Sequence, residues 1–530
     1  MRIGIGRQGP MRYPPTEMRF RGPAAAALAL AALTATAPAR ADGPLGSNGT
    51  LIRTSEYTVD LSHGLVLDGS RPTGLGGAYV AIAEGVDGML QNPASPAHRL
   101  PYSFSDFDYD VGAGITFPTT VASGDYFNSG RSTTDFGTQA EREGFLFLNA
   151  AGLVQWGKWG LGAALDLQNY GLRRSQDPSV GSKQDRLYAR FVVSHVQLAR
   201  RLGGVILGGG LRLSTLSVIR QQAGASIETE LFSVTGTALE AGLLWRPTSL
   251  PLRLGASVHS AFTTEPARGS NSIQSVSGDF IVPDPDDPSN PDAPNVFYLP
   301  QRLSQPWGID LGAAVQLGPR PLNPPWVNPA RVTARLRRYL AWRRLERRRR
   351  RDSELRRIKQ RGGDVSAARA ALDSQIAIED ELDAAQLERE AHRVVQGLRA
   401  SYARLQRFYV LVAASVRITG PVPDGVGVES FLQQRVDRAG QRVTFSPRLG
   451  LESEVVPNWL RARAGTYVEP TRFSNPNAAA RLHTTVGLDV RLFSWTVFSL
   501  LPQGTSFRAG GFVDAAPRYF GWGLSVGVWH

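Results

Sequence analysis

A two-residue alternation that keeps returning over stretches of ten or more residues limits what this chain can fold into. Leu161, Ala163, Leu165 and Leu167 fall on one side of an extended chain, and Gly160, Gly162, Ala164, Asp166 and Gln168 on the other. Val205, Leu207, Leu211 and Leu213 oppose Gly208, Gly210, Arg212 and Ser214. Ile309, Leu311, Ala313, Val315 and Leu317 oppose Asp310, Gly312 and Gln316. Val443, Phe445, Leu449 and Leu451 oppose Arg442, Thr444, Ser446, Arg448 and Glu452, and Val486, Leu488, Val490 and Leu492 oppose Thr485, Asp489 and Arg491. This is the period of β-strands with one apolar face. A soluble sandwich shares the period, but its strands usually run roughly 3–10 residues. Longer stretches ending near Trp or Tyr fit strands tilted across a bilayer, apolar side to lipid and polar side to a lumen. In hydrocarbon every backbone amide needs a partner, so such a sheet must close on itself.

The reading is therefore all-β: a transmembrane β-barrel of about 14 antiparallel strands, counted from alternation and turn signals. They lie near 102–118, 144–157, 159–171, 186–201, 204–219, 227–246, 251–264, 305–318, 406–419, 441–456, 461–469, 481–493, 506–514 and 518–529. If the first strand leaves the periplasm, the long connections 119–143, 172–185, 220–226, 265–304, 420–440 and 470–480 all face outward, and 515–517 is the short exception. Tight connections such as Gly157-Lys158 and Leu202-Gly203 face the periplasm. Short inner turns with long outer loops are the barrel habit. The last strand, YFGWGLSVGVWH, sets Phe520, Trp522, Leu524, Val526 and Val528 on one face, and resembles the terminal signal of bacterial outer-membrane barrels.

The 530 residues include no cysteine, which excludes a disulfide scaffold and thiolate metal sites. Arg19 and Arg21 precede an apolar run from Ala24 to Leu33, and Ala39-Arg40-Ala41 supplies small residues for cleavage. Residues 1–41 read as a signal peptide, with Met11 or Met18 as alternative starts and an alanine-rich anchoring helix as the alternative reading. Export argues against nucleic-acid binding and cytosolic metabolism despite the net charge of +13.

The segment TGLGGAYVAIAEGVDGMLQNPASPAH, from Thr73 to His98, precedes the first strand. Gly74, Gly76 and Gly77 permit tight turns, and Ala78 to Ala83 suit a short helix or an extended piece. Glu84 and Asp87 are candidates to pair with lumen arginines such as Arg212 or Arg253. Asp87 and Asn92 have short polar side chains that fix turns, and Pro93 biases Asn92 toward extended geometry. Residues 42–101 read as a plug inside the barrel; the alternative is an N-terminal strand packed on the sheet with no gating role. The glycines lack the later glycine of a dinucleotide fingerprint and the lysine and hydroxyl of a P-loop.

Gly74, Gly76, Gly77 and Ala78, then Ala81, Ala83 and Glu84, then Asn92, Pro93 and Ala94 resemble the N-terminal segment of the FadL-type outer-membrane transporters of long-chain fatty acids and other hydrophobic compounds, with their PorV-like relatives. The resemblance covers Leu75 to Pro96 and implies several things. The barrel would have fourteen strands, a hatch in the lumen and a lateral opening, and would sit in the outer membrane of a Gram-negative bacterium. Its partners would be outer-membrane lipid and a hydrophobic small molecule, and it would take no cofactor. The PorV-like branch implies a different use, a non-transporting platform for secretion or surface attachment. A general porin is the third reading.

Residues 331–405 depart from the alternation. They read as a helical hairpin broken at Gly362-Gly363, on the periplasmic side by strand parity. From Arg331 to Ala400 there are 19 basic and 11 acidic residues, a net +8. The basic first half is expected to attract the acidic second half, or to meet anionic lipid or an acidic periplasmic protein; a merely solvated helix is the plainer reading. Asp284, Asp286 and Asp287 lie in an acidic outer loop that lacks the ordered spacing of a calcium site. No nucleophile motif occurs, and no catalytic or metal residue is assigned. By strand phase the lumen-facing candidates are Asp166, Arg212, Arg253, His259, Asp310, Asp489 and Arg491, and a one-residue slip in register would reverse them.

Overall fold

The computed structural model describes residues 45–99, 103, 106–118, 124–130, 140–174, 186–221, 228–264, 275–277, 296–404, 406–494 and 506–529. The expected signal peptide at 1–41, much of the long outer loops and Asp284, Asp286 and Asp287 lie outside the described residues.

Fourteen strands close into a barrel. They are β1 (Phe107–Pro118), β2 (Ala140–Trp156), β3 (Trp159–Arg174), β4 (Arg186–Leu202), β5 (Val205–Gln221), β6 (Glu228–Trp245), β7 (Leu252–His259), β8 (Gly308–Leu317), β9 (Val410–Thr419), β10 (Thr444–Val456), β11 (Leu460–Glu469), β12 (Arg481–Ser494), β13 (Ser506–Ala516) and β14 (Tyr519–Val528). Every neighbour pair is antiparallel, and β14 returns to β1 through the register Gly112↔Gly527 to Pro118↔Gly521.

The alternation sorts as expected. Leu161, Leu165, Leu207, Leu211, Leu311, Val315, Phe445, Leu449, Val486 and Leu488 are exposed on the outer surface, while Asp310, Arg448, Glu452 and Asp489 are buried inside. Val528 departs from the exposed face that Leu524 and Val526 share. It is buried and lines a cavity at the periplasmic end.

The wall is uneven. β2 to β6 run 16 to 18 residues, whereas β7 has 8 and β8 and β9 have 10 each. β6 pairs with β7 from Glu240↔His259 to Trp245↔Leu254; beyond that, Ser260 N–H donates to the Leu239 carbonyl and the Thr264 hydroxyl to that of Thr235, so residues 260–264 run beside the outer part of β6. The strand expected over 251–264 stops at His259 because Phe262 turns inward, packs over Gly236 and is buried in the lumen. Phe262–Thr264 then joins Arg302–Gln305, Thr58–Asp60 and Gly425–Gly427 in a small four-stranded sheet within the outer end.

The insertion between β8 and β9 is a helical hairpin, α1 (Ala334–Gln360) and α2 (Val365–Ala403). Gly362 takes a positive φ of 72° at the turn, and the Asp364 carboxylate accepts from the amides of Ser366 and Ala367 to cap α2. The two halves attract each other through Arg343–Asp383 at 3.0 Å, Arg347–Asp383 at 2.7 Å and Arg351–Asp373 at 2.7 Å.

Candidate functional site: the barrel lumen

Residues 57–99 occupy the lumen, and glycines of the wall make room for them. A Cβ added at Gly160, Gly208 or Gly255 would come within 3.0 Å of the backbone of Pro96, Pro93 or Val80 respectively. Gly450 and Gly465 meet the backbone of Leu75 and Gly76 in the same way. Glycine inside a strand often marks such an approach by another backbone. These five positions share the inward parity of their strands and form a seat around the segment.

The segment itself is built from turns. A single helical turn covers Ser70–Gly74, and Gly76 and Gly77 have φ of 60° and 75°. Ala78 to Ala83 form neither the short helix nor the extended piece expected. Successive tight turns, such as Ala78 N–H to the Leu75 carbonyl and Ile82 N–H to the Tyr79 carbonyl, fold the stretch onto itself within the narrow lumen. Asn92 does fix a turn: its Nδ2 donates to the carbonyls of Val80 (2.8 Å) and Leu243 (3.1 Å), and its Oδ1 accepts from Ala94 N–H at 3.0 Å. Pro93 follows beneath Gly208.

Ion pairs hold the segment to the wall. Glu84 lies 2.7 Å from Arg253 and 3.0 Å from Arg71, which is in the segment itself. Arg71 makes two parallel bonds of 2.9 Å to Glu452. Arg463 bridges Glu452 and Asp489 at 2.6 Å each, and Tyr409 donates to Glu452 at 2.9 Å. Asp87 pairs with Arg508, not with Arg212 or Arg253, and Arg508 also reaches Asp489 at 2.9 Å. Arg212 sits higher, with Nε 4.0 Å from Glu240. Planar guanidinium forks suit these two-oxygen contacts. Arg491 lies apart near the end of β12 and donates to the Ser506 hydroxyl at 2.8 Å.

Above the segment is a cavity of about 110 Å³ that brings together Asp166, Arg212, His259 and Asp310 with four residues sequence reasoning passed over: His63, His195, Glu240 and Arg417. His195 Nδ1 is 3.0 Å from Glu240, and Arg417 Nε donates to Asp310 at 2.9 Å. Strand parity was a usable signal for His195, Glu240 and Arg417, since each lies on the inward phase of its strand. Farther out the lumen wall turns apolar. Phe147, Tyr170, Phe191, Val193, Leu216, Val218 and Val234 form one buried cluster with Leu61, Leu65, Leu67 and Phe262.

At the other end, residues 318–333 cross the mouth as a strap leading into α1. Arg253 binds the wall, segment and strap together, donating to the Ile82 carbonyl (3.0 Å), Asn323 Oδ1 (2.8 Å) and the Leu322 carbonyl (2.7 Å). Trp326 Nε1 donates to the Ser103 carbonyl at 2.8 Å, and Arg99 lies over the Trp326 ring.

His98 gives the segment a pH response. Its Nδ1 is 2.8 Å from the Ala83 carbonyl, and burial, reinforced by the charges of Arg246 and Arg253, holds the imidazole well below its ordinary 6.5. The seated form stays neutral while a released segment takes up a proton. Seating therefore weakens as pH falls below about 6.5, by about 1.4 kcal/mol per unit. Glu84 acts in the same direction at lower pH: burial opposes its charge, but Arg253 and Arg71 outweigh it and hold the carboxyl low. Hydrogen exchange of amides 78–98 should accelerate between pH 7.5 and pH 5.5 after correction for intrinsic rates, and less so in His98→Gln. Equal protection at both pH values would refute the assignment.

Outside, the exposed apolar band is bordered at the short-turn end by Phe107, Trp156, Trp159, Phe408, Trp459 and Phe493. A closed sheet with an apolar outer face and an aromatic girdle is what a membrane requires. The chain is a transmembrane β-barrel. No family model matches it, and no curated protein matches it. Solved structures similar to it include a Pseudomonas aeruginosa FadL homologue, at 11% identity and a TM-score of 0.44, covering 91% of this chain and 99% of that one. The CymD monoaromatic hydrocarbon channel is similar at 10% identity and 0.42, covering 88% and 97%. The Ralstonia pickettii toluene transporter TbuX is similar at 10% and 0.41, covering 87% and 96%. Among the described residues, no three His, Asp or Glu side chains are grouped to hold a metal ion.

Proposed function

We propose that the barrel passively takes up long-chain fatty acids or similar hydrophobic small molecules, with the inner segment as its plug. The observation that carries this reading is the apolar and aromatic lining of the outer lumen, from Phe147 through Phe191 to Val234. Water-filled porin lumens are polar. A hydrophobic molecule entering from outside would have to part this packed cluster to reach the polar cavity at Arg212, where a guanidinium suits a carboxylate headgroup. The way out is sideways, beside the outer part of β6, where the paired wall strand β7 ends at Glu240↔His259 and the inward-bending residues Ser260 to Thr264 take its place. The closely fitted plug and the basic hairpin favour a second reading, a secretion or surface-attachment platform with the hairpin as its periplasmic contact.

Uptake of a labelled long-chain fatty acid into proteoliposomes decides between them. The intact protein should give saturable uptake, and deletion of Leu75 to Pro96 should change its rate severalfold. No uptake by folded, inserted protein would reject the fatty-acid reading and leave the platform or another hydrophobic substrate.

A further inference from the structure

Arg246, at the start of the connection from β6 to β7, is 1% exposed. Its guanidinium contacts are two backbone carbonyls, Arg99 at 3.4 Å and Pro324 at 3.2 Å. Its Nε has no hydrogen-bond partner among the described residues, and no carboxylate pairs with it. Yet Arg246 lines the periplasmic cavity, of about 70 Å³, where other arginines are matched: Arg71 with Glu452, Arg253 with Glu84, Arg320 with Glu454 and Arg508 with Asp87. With Glu454, the partner of Arg320, added to the six arginines and four carboxylates that line the cavity, the arginines exceed the carboxylates by one. The connections 100–105 and 495–505, which flank this end in sequence, contain no Asp or Glu. An unpaired buried charge is strongly unfavourable, and carbonyls compensate a guanidinium only in part.

We propose that this cavity is a binding site for a small oxyanion, a carboxylate or inorganic phosphate, held by Arg246, with His98 and Arg320 also in the lining. The site is distinct from the outer cavity around Arg212 and Glu240 and lies beyond the plug from it. At about 70 Å³ it exceeds the roughly 10–15 Å³ that one water needs, so a small polar group fits. Burial, with Arg253 and Arg201 nearby, pushes the Arg246 guanidinium well below the usual arginine range, and a bound anion reverses that push. The site does not rest on the transport reading, and its test is a binding measurement on protein that need not transport anything.

The test is calorimetric titration of the full-length protein in nanodiscs at constant ionic strength, with inorganic phosphate, acetate and octanoate as probes. Saturable binding of one anion per barrel is expected, weakened tenfold or more in Arg246→Gln. Arg246→Lys keeps the charge without the fork and should retain binding within about threefold if charge dominates. Arg348→Gln removes an exposed charge of the hairpin and serves as the control for surface adsorption. Equal binding of acetate and phosphate identifies a free oxyanion as the ligand; binding of octanoate alone identifies the end of a chain molecule. The proposal is overturned if none of the probes binds, if Arg348→Gln weakens binding as much as Arg246→Gln, or if Arg246→Gln unseats strap and plug while Arg246→Lys is folded and binds nothing. That last outcome would make Arg246 a carbonyl clamp only.

Discussion

Gly208→Leu is expected to drive the plug from its seat. The new Cβ would lie within 3.0 Å of the Pro93 carbonyl and the Ala94 nitrogen, which are backbone atoms with no rotamer to escape into. Overpacking of ordinary side chains costs about 1–3 kcal/mol, and a clash with backbone belongs at or above the top of that range. A cost of about 3 kcal/mol corresponds to a rise of about a hundredfold in the open population. Trypsin reports it: Arg99 is 2% exposed in the seated form and becomes cleavable on release. Gly209→Ala is the control, because its Cβ would meet only the Glu240 carbonyl at an ordinary 3.7 Å. Equal cleavage of both variants would show that the wall glycines do not define the seat.

Glu452→Gln should be the most damaging single change of charge. Glu452 is 2% exposed and accepts from Arg71, Arg463 and Tyr409. Removing one partner of a buried pair costs about 3–5 kcal/mol, mostly from the charge left behind. The lower end applies, since Arg71 keeps Glu84 and Arg463 keeps Asp489. The midpoint of urea unfolding should fall accordingly, with Glu452→Asp intermediate. A midpoint within error of the parent protein would mean that the lattice relaxes freely and does not anchor the plug.

Much of the wall is legible in the sequence, because a lipid face and a lumen face impose a strict period of two. β3, β5, β10 and β12 begin and end within a few residues of their expected bounds. The hairpin was legible for the complementary reason, loss of that period with a Gly-Gly break. The plug was harder. Turns are set by contacts distant in sequence, so Ala78 to Ala83 carried no local sign that they would fold against Gly255 and Gly312. Charge partners were legible as candidates and not as pairs. Glu84 with Arg253 was within reach of parity, whereas Asp87 with Arg508 depended on a depth in the barrel that alternation does not encode. The inward bend at Phe262 was hidden because its apolar side chain continues the pattern of β7 while serving the opposite face.

The wall closes by joining β14 to β1, the last strand to the first. The residues inside it precede β1 in the chain, and they touch glycines on β3, β5, β7, β10 and β11 as well as strands 302–305 and 425–427. The seat for the leading segment is therefore complete only once strands from both halves of the chain stand together around it.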